Sequence, residues 1–99
     1  VKVTIALART AQQTSTGLKV YPNPVHNIAN VELNTQVDNA RVTIRISDIL
    51  GNTVYQQEFV SATTDVKKQI DFSSLGKGTY LVTALVNGVV KESMKVVKM

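Results

Sequence analysis

Cysteine is absent from the 99 residues, which excludes disulfide staples, thiolate metal sites and cysteine nucleophiles. Tryptophan is absent too, and three Tyr with two Phe supply all the aromatic content. His26 is the only imidazole, with no supporting residue in view for a His-bearing metal site or a Ser-His-Asp triad. It follows Pro24-Val25 and reads as a solvated turn histidine. The carboxylates at positions 32, 38, 48, 58, 65, 71 and 92 are scattered, with no Asp-x-Asp spacing for calcium. There is no Gly-rich phosphate loop and no Asn-x-Ser/Thr sequon. No apolar run approaches the roughly 20 residues that span a bilayer as a helix, so no integral membrane segment is expected. The expectation is a chain without catalytic residues, metal or cofactor.

What remains is strand material. The hydrophobic content is 43%, and small branched residues carry it. Val, Ile and Thr favour a pleated surface because their χ1 is stiff. The length suits one domain with one modest core. Eleven Lys+Arg against seven Asp+Glu give a net charge of +4, but the basic residues are dispersed through alternating patterns. Only three are arginines, at positions 9, 41 and 45, and no nucleic-acid partner is expected. The chain opens on Val1 without an initiating Met or a signal-peptide pattern, as expected of a segment from a longer protein.

The first nine residues alternate, with Val1, Val3, Ile5 and Leu7 on one face, as a half-buried strand requires. Thr10, Ala11, Gln12, Gln13, Thr14, Ser15 and Thr16 then form a polar stretch with nothing to bury, read as a flexible linker. This break divides the chain into a junction over 1–16 and a domain over 17–99. An N-terminal strand on such a linker is able to exchange between two copies, giving a dimer. After Gly17, short alternating runs are separated by turn signals. Val42, Ile44 and Ile46 point one way, and Thr43, Arg45 and Ser47 the other. The run 79–86 is apolar on both faces, as a central strand would be, and Asn87-Gly88 is a two-residue hairpin signal. Seven strands at roughly ten-residue spacing, with no helical periodicity, predict an all-β, antiparallel, immunoglobulin-like sandwich. An extra N-terminal strand would come from residues 1–9.

Four short motifs punctuate these strands. Pro22, Asn23 and Pro24 follow Tyr21, and the two prolines stop any ladder from continuing. Asp48, Gly51 and Val54 form an Asp-x-x-Gly-x-x-Val turn, with an acid that accepts backbone hydrogen bonds and a Gly for positive φ. Leu75, Gly78 and Tyr80 place a bend ahead of an aromatic anchor whose hydroxyl belongs at the edge of the core. Lys95, Val96, Val97 and Lys98 read as a last strand with solvated lysines. Each motif taken singly is ordinary turn and strand chemistry.

In this order, with the last near the C-terminus, they resemble the type A C-terminal sorting domain of the type IX secretion system of Bacteroidota. Asn52 stands where the family often carries a basic residue, and Met99 follows the final Lys. The resemblance implies a non-catalytic export address on an upstream cargo domain. It implies an outer-membrane translocon and its shuttle protein as partners, with passage through the periplasm to the cell surface. It further implies that a surface sortase removes the domain and links the cargo to lipopolysaccharide. The linker from Thr10 to Thr16 is the expected cleavage region, since protease grooves take extended, unpacked chain. The terminal hairpin is the expected recognition surface, with edge-strand addition as its mode. An accessory immunoglobulin- or fibronectin-like module that binds carbohydrate or a surface protein is the alternative. That reading needs a row of exposed aromatics.

Overall fold

Period-two burial runs through most of the strands. Val42, Ile44 and Ile46 are fully buried along one strand, and Val31 and Leu33 are buried along another. The computed structural model describes residues 17–99; the alternating segment 1–9 and the linker 10–16 lie outside the described residues. The described strands are β1 (Lys19–Tyr21), β2 (Ile28–Asn34), β3 (Ala40–Asp48), β4 (Thr53–Ser61), β5 (Asp65–Asp71), β6 (Gly78–Val86) and β7 (Val89–Lys98).

They form two antiparallel sheets, one ordered β1-β2-β5 and the other β4-β3-β6-β7. The sandwich expected from the strand pattern is present. A constant-type immunoglobulin domain keeps its fourth strand in the sheet of the first, second and fifth. Here β4 pairs with β3 instead, from Ala40 opposite Ser61 to Ser47 opposite Thr53. β6 is central, between β3 and β7, which explains why it is apolar on both faces.

Between the sheets lie Phe72, Ile44, Ile46, Ile70, Val25, Val31, Val42, Val82 and Val96, each essentially without solvent exposure. Burial of such side chains stabilises the fold by about 1.5–3 kcal/mol apiece relative to exposure. The β6–β7 hairpin turns on Asn87 and Gly88, with φ of 52° and 82°, the two positive values that a tight type I′ turn demands. Asn87 also ties this turn to β3. Its N–H donates to the Arg41 carbonyl at 2.7 Å, and its Oδ1 accepts from the Arg41 N–H at 2.9 Å.

The antiparallel order gives the sandwich two distinct poles. β1, β3, β5 and β7 all finish at one pole, where the loops 22–27, 49–52 and 72–77 and the residue Met99 sit. The loops 35–39 and 62–64, the 87–88 turn and Gly17 belong to the other. The junction to residues 1–16 therefore leaves from the pole opposite Met99.

Candidate functional site

All four motifs meet at the first of these poles. Asp48 of β3 lies opposite Tyr80 of β6, and Tyr80 lies opposite Val96 of β7. Members of three motifs thus occupy one row across the four-stranded sheet. The fourth motif joins them through a side chain. Asn23 Oδ1 accepts a hydrogen bond from the Val97 N–H at 3.0 Å, and its Nδ2 donates to the Lys95 carbonyl at 3.2 Å. An Asn amide offers a carbonyl and an N–H side by side, so it can replace a neighbouring strand at one position. Two residues later the backbone takes over. The Val25 N–H donates to the Val97 carbonyl at 2.8 Å, and the Met99 N–H donates to the Val25 carbonyl at 2.9 Å.

Residues 23–25 therefore cap the outer edge of β7 as a short parallel bridge, Val25 opposite Lys98. Val25 inserts its side chain into the core and fixes the bridge. The bonds that precede Pro22 and Pro24 are both cis, and Pro22, Asn23 and Pro24 are exposed. This geometry revises two expectations. Edge-strand addition at the end of the terminal hairpin is blocked, since residues 23–25 already hold Lys95, Val97 and Met99. Lys98 is also not a solvated lysine: it lies on the core-facing side of β7 with 8% exposure, and its Nζ donates to the Met99 carbonyl. Its alternation partner Val96 is fully buried, Val97 is half-buried, and Lys95 is exposed.

The Asp48 turn is built as its motif suggests. Asp48 Oδ1 accepts from the Leu50 N–H and the Asn52 N–H, each at 2.9 Å, and the Asp48 carbonyl accepts from the Gly51 N–H. These donors, the Asn52 N–H foremost, hold the Asp48 carboxyl below the usual carboxylate range. Gly51 has φ of 89°, where a side chain would be strained. The turn thrusts Ile49 and Leu50 into solvent at 78% and 82% exposure. Val54, the motif's last residue, falls in a bulge of β4 and is partly exposed.

In the third motif, the Tyr80 hydroxyl donates to the Gly76 carbonyl at 2.7 Å, pinning the loop back onto the start of its own strand. A tyrosine corner does the same at the equivalent place in immunoglobulin sandwiches. The Tyr80 ring meets Phe72 edge-on at 6.3 Å between centroids. Leu75 packs against the core from the same loop, and Gly78 opens β6 with φ of 153°.

An open groove of about 370 Å³ runs along this pole, lined among others by Asp48, Ile49, Gly51, Tyr80, Leu81 and Lys95. Its wall is largely apolar, and the exposed Lys95 is the one cationic residue of its lining. Two smaller depressions on the three-stranded sheet contain no motif residue. Among the described residues no three His, Cys, Asp or Glu are gathered as a metal would need. His26 is exposed in the 22–27 loop, as expected. The aromatics form no sugar-stacking row: Phe72 is buried, and Tyr55, Phe59 and Tyr80 pack against the core. Only Tyr21 is largely exposed, and its hydroxyl donates to Glu32.

The model of the secretion system C-terminal sorting domain matches residues 19–99, which takes in all four motifs. The chain belongs to that family. As a member of it, the domain is a C-terminal sorting signal of type IX secretion, and it marks a secreted or cell-surface protein. A sorting domain of this kind lies downstream of a cargo and works with the secretion machinery. An endo-acting ulvan lyase of Formosa agariphila is 32% identical over 65 residues, covering 66% of this chain. The match takes up 11% of the lyase, so the chain corresponds to a small part of that protein.

Sequence reasoning missed three features of the site. It did not find the Asn23 hydrogen bonds, the Val25 bridge or the burial of Lys98. An Asn between two prolines is the one available signal, since nothing local can satisfy its amide there. The linker Thr10–Thr16 lies outside the described residues.

Proposed function

We propose that the motif pole is the surface the secretion machinery reads, and that Asn23 holds the C-terminal strand in readable form. One observation carries this reading: motifs spread from residue 22 to residue 98 converge on a single end of the sandwich. Each uses its most characteristic residue to fix that end. Asp48 builds the turn, Tyr80 pins the loop, Asn23 caps the last strand, and Val96 anchors that strand in the core. The exposed residues left over are Ile49, Leu50, Leu81 and Lys95, an apolar surface with a cationic rim. A partner that buries Ile49 and Leu50 gains from their removal from water. Gly17 lies at the opposite pole, so the motif pole is not the end from which the described domain is joined to the preceding chain.

The fuller route follows from the same reading. The cargo crosses the inner membrane by the general pathway, and the folded sandwich engages the outer-membrane translocon and its shuttle protein. A surface sortase then cuts within Thr10–Thr16 and links the cargo to lipopolysaccharide. The domain itself catalyses nothing.

The test is a fluorescent protein fused ahead of the chain behind a signal peptide, expressed in a type IX-competent host and in a translocon-deficient strain. Trimmed, surface-exposed reporter is expected in the competent strain alone. Removal of Lys95–Met99 is expected to leave a folded reporter in the periplasm, and Leu50→Asp to reduce export with the sandwich intact. Normal export of both variants overturns the proposal. Trimming outside residues 10–16 refutes the assigned cut.

A further inference from the structure

A separate feature lies on the other flank of the four-stranded sheet. β4 is its outermost strand, and among the described residues no backbone hydrogen bond runs from Tyr55–Ser61 to any element but β3. The other sheet edges carry protection. β1 is three residues long and runs into the prolines, β5 bears Lys67 and Lys68, and the end of β7 is capped by Asn23 and Val25. β4 has no Lys and no Pro, its one charge is Glu58, and its bulge is confined to the start at Val54. An edge of this kind is a template for another strand.

The sequence of β4 indicates which strand. Thr53-Val54-Tyr55-Gln56-Gln57-Glu58-Phe59-Val60-Ser61 reads almost the same in both directions about Gln57. We propose that β4 pairs antiparallel with β4 of a second copy about a two-fold axis at Gln57, joining two four-stranded sheets into one of eight strands. In that register Tyr55 meets Phe59 of the other copy, Val54 meets Val60, and Thr53 meets Ser61. Aromatic and aliphatic matches of this type are the pairs that stabilise antiparallel ladders. Each Glu58 faces Gln56, so the two carboxylates never oppose one another. Val60, 67% exposed on the outer face and opposite Arg41 within its own chain, gains an apolar neighbour on its open side. A two-fold axis makes the contact self-complementary and closed, so it stops at a dimer. It differs from exchange of an N-terminal strand, and it leaves β7 and the Asn23 cap untouched because they lie at the opposite edge of the sheet.

Sedimentation of the 99-residue chain over a concentration series tests this. The mass is expected to move from monomer to dimer as concentration rises. Val60→Lys places an ammonium on the edge and is expected to remain monomeric throughout, still folded and with a melting temperature that, unlike the native chain's, does not rise with concentration. The register has its own test, because the chain has no native thiol. Gln57→Cys is expected to give a disulfide-linked dimer on mild oxidation. Val60→Cys is not, since its two-fold mate lies six residues along, about 20 Å away. A monomer at every concentration overturns the proposal. So does a dimer that survives Val60→Lys, which would place the contact elsewhere, as in strand exchange. Cross-linking of Val60→Cys as readily as Gln57→Cys refutes the axis at Gln57.

Discussion

The two edges of the four-stranded sheet differ sharply. At β7 the terminal backbone groups are taken by Asn23 and Val25, more than seventy residues away in sequence. At β4 the outward backbone between Tyr55 and Ser61 has no such partner among the described residues. Both strands are nine or ten residues long, and both alternate. Strand character therefore does not decide whether an edge is available; what the fold lays beside it does. The closed edge belongs to the sorting motif, and a capped strand presents one fixed shape to a receptor. The β4 edge has no partner among the described residues.

Substitutions can separate these edges from the core they share. Phe72→Ala is the largest expected effect, a loss of about 3–5 kcal/mol in chemical denaturation, because Phe72 is fully buried beneath the motif pole. It weakens the whole sandwich and so does not discriminate between the edges. Asn23→Ala does discriminate. Two hydrogen bonds are lost, at a cost of about 1–3 kcal/mol, and hydrogen exchange is expected to accelerate at the Val97 amide while the amides of β4 keep their protection. Equal acceleration at both edges would mean that Asn23 supports the whole fold and not the β7 cap.

Tyr80→Phe removes the hydroxyl bond to Gly76 and keeps the ring contact with Phe72, for about 0.5–1.5 kcal/mol. Its effect should be confined to the 72–77 loop. The smallest expected effect is a pH dependence at the Asp48 turn. The folded-state pKa of Asp48 is depressed, so its contribution is full above the ordinary carboxylate value of about 4 and is lost as pH falls through the lower folded value. Melting curves through that acid range should show a shallower loss for Asp48→Asn than for the native chain. Asp71 carries a similar depression, from the hydroxyl and N–H of Ser73, and accounts for part of the remaining slope.

Local chemistry made much of this legible in the sequence. Alternation of branched residues gave the strands and their inward faces, because a pleat sends successive side chains to opposite sides. Asn87-Gly88 and Asp48-x-x-Gly51 gave their turns, because positive φ and side-chain caps are local requirements. The order of the motifs gave the family. Sequence left the Pro22–Pro24 segment as a stop to any ladder. The fold adds that Asn23 and Val25 cap the edge of β7, which no short-range rule could have named.

The amino-acid order by itself thus determined an all-β sandwich, its seven strands, its tight turns and its membership of the sorting-domain family. Each of these follows from neighbours within a few residues or from the motif series. Tertiary structure alone decided that four distant motifs share one pole, that Lys98 turns toward the core, and that the end of β7 is capped by Asn23 and Val25. Those outcomes depend on how two sheets stack and which loops cross between them, and contacts across more than seventy residues leave no periodic trace in the chain.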